Sequence, residues 1–454
     1  MKKNIGICVA NFQDVGTYQI VRAVSDCAEK QGFRVLIYGC FSKVDVSNAF
    51  GIGEASIFHS IPIQDLSGLV IMAQTISNKE ILAYLKQIAM QRKIPIVSID
   101  YPMEECFNVR LNYEDTFKDI VRHVIEMHKC RNPFFMAGYK GNEFSEKRIE
   151  KFREVLKEND LPVIEEHIAY GDFWEIPSRN ACEKWMQNRE DLPDAIICAN
   201  DMMALSVIEV LKRHNMKVPE DVIVTGFDGF ELEGYCTPRL TTAQINLEDI
   251  AQHTVQMIQD KLAHPDILPY TECVSFNARY TESCGCRAVQ YMNTNRIIMD
   301  VYGKMSGDRQ HINDMFDMMT HLTESYSMRT MLEGLNESIL YSIHWNLMIF
   351  VSRDFFDHTD IQPPEQMEPT DLITLVKSRD GTCTNPLQHL HCQDISKELI
   401  DFMAEEDRIL FLPLHWQGEI YGCVALTYHN DTIDYEWLND FILSMAQIFA
   451  TVRR

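Results

Sequence analysis

Positive charge is scarce in this chain. Its 42 Lys and Arg face 66 Asp and Glu over 454 residues, a formal net charge of −24. A surface of that sign repels a phosphate backbone, so direct nucleic-acid binding is not expected. No stretch reaches the roughly 18 apolar residues of a membrane span, so no membrane partner is expected either. Lys2 and Lys3 mimic the start of an export signal, but "NIGICVANFQD" is a short apolar run with polar breaks. The expected location is the cytoplasm, where the 14 cysteines are mainly reduced thiols. There is no G-x-S-x-G, no P-loop and no H-E-x-x-H, so no catalytic residue, no cofactor and no enzyme activity are expected. "GIGEAS" at Gly51 lacks the third glycine of a dinucleotide turn. No internal repeat and no long low-complexity tract stands out.

Most cysteines sit singly in apolar segments, among them Cys8, Cys198 and Cys423, where a thiol packs as a small hydrophobe. Two places are denser. Cys284-x-Cys286 is a close thiol pair, and "HLHC" brings His389, His391 and Cys392 together. Neither has a second pair at zinc-finger spacing, so no metal site is expected.

What is abundant is alternation. Over residues 1–285, short apolar β-rich runs ("NIGICVA", "RVLIYGC", "LSGLVIMA", "IPIVSID", "PFFMAGY", "AIICA", "VIVTGF") alternate with amphipathic helical segments. Continuous apolar strands spaced by helices mean an α/β fold with a parallel sheet buried on both faces. Ligands of such sheets bind at the carboxyl ends of the strands. Asn200–Asp201 follows "AIICA" and Asp228 follows "VIVTGF", so both lie at such ends. The structural alternative for Asp201 is a plain helix N-cap.

Beyond Cys286 the character changes. Val301, Met305, Ile312, Met315, Met319, Leu322 and Tyr326 fall on a heptad seam that only Asp308 interrupts. This predicts a linker helix or coiled coil over 290–334 and a homodimer. Gly303 and Gly307 each weaken it by about 1 kcal/mol. Over 335–454, strands around the turn Gln417–Gly418, the Pro-rich "QPPEQMEP" and a closing helix "DYEWLNDFILSMAQIFATVRR" predict an α+β domain.

Residues 1–285 resemble the effector-binding core of the lac-repressor/galactose-repressor family, of periplasmic-binding-protein type 1. The motifs that carry this are "LSGLVIM", "IPIVSIDYP", "SEKRIEKF", "AIICANDMMALSVIEVLKRHNMKVPEDVIVTGFDG" and "PRLTTAQINLEDIAQHTVQMI", in the family's order. The resemblance implies two Rossmann-like lobes, about 1–108 with 246–273 and about 112–243. Three crossover strands join them near 108–112, 243–246 and 273–280, with a ligand between the lobes. It also implies the ligand contacts. Arg148 matches the motif arginine, Asn200 the amide, and Asp228 and Asp100 the carboxylates. Phe173 or Trp174 matches an aromatic that lies against a sugar ring, and Phe12 and Tyr18 match the first loop's aromatic position. Planar donors with aromatic faces suit a polyhydroxylated ring. Lys151, Gly229 and Tyr101 replace a glycine, an aspartate and an arginine of the family pattern, so the resemblance does not name the sugar. The family's helix-turn-helix has no counterpart ahead of the first strand, and DNA binding is not carried over.

The segment "ILFLPLHWQGEIYGCVALTY" resembles the hairpin of GAF-type sensor domains. Proteins of this layout commonly lead into a GGDEF cyclase domain, but no GGDEF or GGEEF string occurs. The expectation is a non-catalytic cytosolic sensor. It binds a sugar-like metabolite between two lobes and relays closure through a helix to a GAF-like domain and a downstream output partner. The alternatives are a regulator of the lac-repressor family acting without its own helix-turn-helix, and the sensory region of a diguanylate cyclase.

Overall fold

The computed structural model describes residues 2–229, 236–286, 294–323, 327–342, 346–357, 359, 371–391, 395, 398–399, 402, 408–427 and 435–453. Tyr326, Cys392 and the Pro-rich stretch 362–369 lie outside the described residues. The strands in chain order are β1 Lys3–Val9, β2 Phe33–Gly39, β3 Leu66–Ile71, β4 Ile96–Ile99, β5 Phe107–Asn112, β6 Pro133–Ala137, β7 Ile168–Tyr170, β8 Ala195–Cys198 and β9 Ile223–Thr225. They continue with β10 Thr242–Gln244, β11 Thr271–Ser275, β12 Asn277–Arg279, β13 Leu347–Ser352, β14 Leu372–Arg379, β15 Thr382–Thr384, β16 Gln388–Leu390, β17 Arg408–Trp416 and β18 Glu419–Thr427. Among the described residues, no helix is long and apolar enough to cross a membrane.

The chain forms two compact units. One comprises Met1–Arg110, Leu247–Glu272 and Gly303–Arg454; the other comprises Leu111–Asn246 and Cys273–Tyr302. Both are mixed α/β.

The second unit is the simpler one. Its sheet has the order β7–β6–β8–β9, all parallel. β6, β8 and β9 are short apolar runs buried on both faces, such as Phe134, Phe135 and Met136 of β6 and Ile196, Ile197 and Cys198 of β8, while the edge strand β7 is half-buried. Helices Tyr113–Arg122, Glu143–Glu158, Glu175–Gln187 and Asp201–Arg213 lie between the strands in sequence. Their apolar stripes, Phe117 with Val121 and Ile149 with Phe152 and Leu156, join the same core.

The first unit carries one twelve-stranded sheet, ordered β11–β5–β4–β3–β1–β2–β17–β18–β13–β14–β15, with β16 also beside β14. The half from β5 to β2 is parallel, and the half from β17 to β16 is antiparallel. The parallel pair β2/β17, in register Val35 with Arg408 through Tyr38 with Phe411, joins them. This differs from the sequence reading, which set 335–454 apart as its own domain.

The reason for the join is local chemistry. Without β17, β2 would be an edge strand with unpaired backbone groups. Tyr38 stacks on Phe411 with ring centroids 4.8 Å apart. Arg408, 4% exposed, places its guanidinium 2.7 Å from both Asp26 and Glu29 near the end of helix Val15–Lys30. His415 Nε2 lies 3.1 Å from Glu54 of helix Ala49–His59. Gly53 makes that possible, because a Cβ there would fall 2.0 Å from His415 Nδ1. The glycines of "GIGEAS" therefore belong to helix packing.

The turn Gln417–Gly418 has positive φ at both positions (47° and 91°), as a two-residue type I′ hairpin requires. Helix Thr294–Thr323 covers most of the expected linker helix. Val301, Met305 and Ile312 of its seam are exposed, and Met315 and Met319 are half-buried.

Candidate functional site

All four strands of the second unit's sheet lead, at their carboxyl ends, into polar or aromatic residues. β6 runs into Gly138–Tyr139, β7 into Asp172–Phe173–Trp174, β8 into Asn200–Asp201 and β9 into Phe227–Asp228. Helix Glu143–Glu158 starts just after β6, with Asn142 accepting from Ser145 N, and Arg148 lies in its second turn.

Arg148 is buried at the centre of this group. Its Nη1 donates to the Ala199 carbonyl at 2.6 Å, and its Nη2 lies 3.9 Å from Asp228 Oδ1. The guanidinium carbon sits 4.3 Å from the centre of the Phe227 ring, a cation–π contact. Nε is buried and makes no hydrogen bond. Burial draws the pKa of Arg148 down, and Asp228, Tyr113 and Asp201 act against that shift. An arginine stays charged at neutral pH all the same. Glu146 and Glu154, the surface partners one could expect for Arg148, are engaged elsewhere. Glu146 accepts from Gly141 N and Tyr170, and Glu154 pairs with Lys151 and Lys118.

Asn200 is the N-cap of helix Asp201–Arg213, with its Oδ1 accepting from Met203 N at 3.0 Å. The cap is thus Asn200 and not Asp201, which the sequence left open. The Asn200 amide also donates to the Phe173 carbonyl at 3.2 Å, tying the β8 and β7 loops together. Asp201 is buried in the first turn and accepts from Thr242 Oγ1 at 2.6 Å. Asp228 takes a positive φ of 104° and donates its N–H to the Ala243 carbonyl. Its side chain is about a third exposed, so it faces solvent on one side. Gly229, a departure from the family pattern, has φ 68° and would place a Cβ 2.7 Å from Gln244 Cα. The backbone there excludes the aspartate. Phe173 also has positive φ (54°), and its ring meets Tyr139 edge-on. Trp174 and Tyr139 are both exposed.

The structure therefore brings Arg148, Phe173, Asn200 and Asp228 together at one end of the second unit's sheet, with Trp174 next to Phe173 in the chain. Sequence reading missed Phe227, Thr242 and Tyr139. Each lies inside a quoted segment, but only the fold gives it a partner.

The remaining three candidates lie in the first unit. Asp100 follows β4 with φ 64° and is half-buried. The Phe12 ring is fully buried. Tyr435, which opens the closing helix, meets the Phe12 ring edge-on at 5.0 Å and the Tyr18 ring at 4.9 Å. A side chain from the other end of the chain packs on the two aromatics expected to face a ligand.

The periplasmic binding protein-like domain family matches residues 121–284. Over that stretch the chain is similar to a periplasmic binding protein-like domain. The HTH-type transcriptional repressor PurR of Aliivibrio salmonicida is 24% identical over 262 residues, 57% of this chain and 75% of that repressor. The repressor CytR of Escherichia coli is 25% identical over 266 residues, 57% of this chain and 73% of CytR. Among solved structures, the Escherichia coli repressor ascG aligns with a TM-score of 0.51 at 18% identity, covering 63% of this chain and 100% of ascG. The regulator CelR, solved as a cellobiose complex, aligns with a TM-score of 0.50 at 19% identity, over 62% of this chain and 85% of CelR. These structural likenesses establish the fold. Arg148, Asn200 and Asp228, the strand-end group, all lie within the matched residues and form the candidate ligand-binding face.

Proposed function

We propose that this chain is a non-catalytic cytosolic sensor whose periplasmic binding protein-like core holds a sugar or related small metabolite, with Arg148, Asn200 and Asp228 as polar contacts and Phe173 or Trp174 as the aromatic one. The observation that carries the reading is the buried guanidinium of Arg148. A buried cation costs several kcal/mol of desolvation, of the order that well-packed apolar replacements would recover. A fold that keeps one at the carboxyl ends of its strands, beside a half-open carboxylate, keeps it for binding. Hydroxyl groups of a sugar could bond both to the guanidinium and to Asp228, and exposed aromatic rings match the C–H faces of such a ring. CelR with its cellobiose supports a sugar as the ligand class.

The signal would leave through helix Thr294–Thr323. Its exposed Ile298, Val301, Met305 and Ile312 suit a helix that pairs with a second copy. The C-terminal strands would act as a GAF-like receiving module. A second reading, a transcription regulator working through a DNA-binding partner, is favoured by the relatives PurR and CytR, both helix-turn-helix repressors.

The test is a thermal-shift screen of sugars, nucleosides and amino acids on the full chain and on Arg148→Ala. A ligand at 100 times its Kd adds about 2.7 kcal/mol, roughly 5–11 °C in Tm for a unit of about 150–250 residues. The expected result is a hit that disappears in Arg148→Ala. A hit of equal size in the folded variant would remove Arg148 from the site. If the chain alone gave a salt-sensitive, sequence-specific mobility shift on DNA, the sensor reading would yield to a direct regulator.

A further inference from the structure

The thiol pair Cys284-x-Cys286 has no second ligand pair near it in sequence. The fold of the second unit supplies one. His123 and His128 converge on the two cysteines, and the four donor atoms all lie within 4.8 Å of one another. His123 Nε2 is 3.0 Å from His128 Nε2, 3.4 Å from Cys286 Sγ and 3.7 Å from Cys284 Sγ. His128 Nε2 is 3.6 Å from Cys286 Sγ. Zinc bound tetrahedrally has Zn–N of about 2.0–2.1 Å and Zn–S of about 2.3 Å, which makes the edges of the tetrahedron about 3.3 Å for N···N and about 3.6 Å for N···S. The four observed separations lie within a few tenths of an ångström of those edges.

Local backbone explains how the ligands meet. At 3.6 residues per turn, residues five apart on an α-helix point about 140° away from each other. Here the segment His123–Met127 is a π turn, closed by His128 N donating to the His123 carbonyl, and it turns both imidazoles to one side. Such turns occur frequently at functional sites. Tyr280 stacks on His123 at 3.7 Å and fixes its ring plane. Between the cysteines, Gly285 takes φ 91°, a left-handed conformation that lets both flanking sulfurs face the same point.

We infer that His123, His128, Cys284 and Cys286 form a structural zinc site of the Cys2His2 type. Two thiolates with two imidazoles and no carboxylate are a zinc donor set. Four protein ligands leave no open position, so the site holds structure and does not catalyse. It clips the segment at Cys284–Cys286 to the end of the first helix of the second unit, shortly before helix Thr294–Thr323 begins. A second grouping, Asp371 with His389 at 2.6 Å and His391 at 3.0 Å, offers only three residues and is accounted for as a carboxylate accepting from two imidazoles.

The test uses the full chain purified without chelator. Metal analysis should find about one zinc per chain, as expected for a closed four-ligand site. After exchange, cobalt(II) should give the visible bands and the sulfur-to-metal charge transfer of a tetrahedral thiolate site. Cys286→Ser and His128→Ala should each lose the bound metal, and Cys273→Ser, at an exposed cysteine outside the cluster, should keep it. The wild-type cobalt spectrum does not depend on any variant folding. A folded wild type without stoichiometric metal and without those bands would overturn the site. So would a native Cys284–Cys286 disulfide in metal-free protein, or a spectrum unchanged in Cys286→Ser.

Discussion

The second unit builds its sheet from one nearly continuous run of chain, whereas the first unit assembles three separate runs and places β17, almost the last strand in sequence, near the middle. The contrast separates two kinds of information. In the second unit β6, β7 and β8 are each followed by a loop and then by a helix of the same unit, and these carry the candidate side chains, so local order and the candidate site run together. In the first unit the decisive pairing, β2 with β17, links residues more than 370 positions apart, as the Arg408–Glu29 contact shows.

Substitutions at the β2/β17 join test this contrast most strongly. Phe411→Ala removes a buried ring stacked on Tyr38 and should cost about 3–5 kcal/mol. In calorimetry the loss should fall on the first unit's transition and leave the second unit's in place. Equal shifts of both would mean that the units unfold as one, and the contrast would fail. Arg408→Ala should cost less, about 2 kcal/mol, because Asp26 and Glu29 are partly exposed and regain water. Gly53→Ala pushes a methyl into His415, and overpacking of this kind costs about 1–3 kcal/mol. Measured by urea unfolding, a variant as stable as wild type would show that the helix Ala49–His59 is not held against β17.

The smallest effect belongs to the second unit and depends on pH. Hydrogen bonds from Asn132 and His167 hold the Asp191 carboxyl below the usual carboxylate range. Its folded pKa is therefore lower than its unfolded one, about 3.9, and the unfolded chain binds more protons in between. The contribution is complete above the unfolded value and disappears as pH falls through the folded one. Asp191→Asn should lose that contribution at neutral pH and flatten the acid limb, so that variant and wild type converge in stability at low pH. An unchanged acid limb would assign the loss to other carboxylates.

Much of the second unit was legible in the sequence. The alternation of apolar runs with amphipathic helices reports burial on two faces, and a motif such as "ANDMM" states where a strand hands over to a helix. Arg148 and Asp228 were named together through the family resemblance, and the fold sets them 3.9 Å apart. The join in the first unit was not legible, because "RVLIYGC" and "RILFLPLHW" both read as buried strands and hydrophobicity carries no address for a partner. Arg408 looks like any strand-opening cation until Asp26 and Glu29 stand beside it. The packing of Phe12 was hidden for a related reason: nothing near it in sequence announces Tyr435. His123 and His128 were missed because their spacing points two ways on an α-helix, and only a π turn reconciles them.

The late position of β17 has a consequence for synthesis. A ribosome adds about 5–20 residues per second, so the roughly 300 residues between Arg110 and Arg408 take about 15–60 s to emerge. During that interval β1 to β5 can pair, but β2 remains a bare edge with its amide and carbonyl groups open to other chains. A nascent chain stalled before Arg408 would expose the same edge indefinitely.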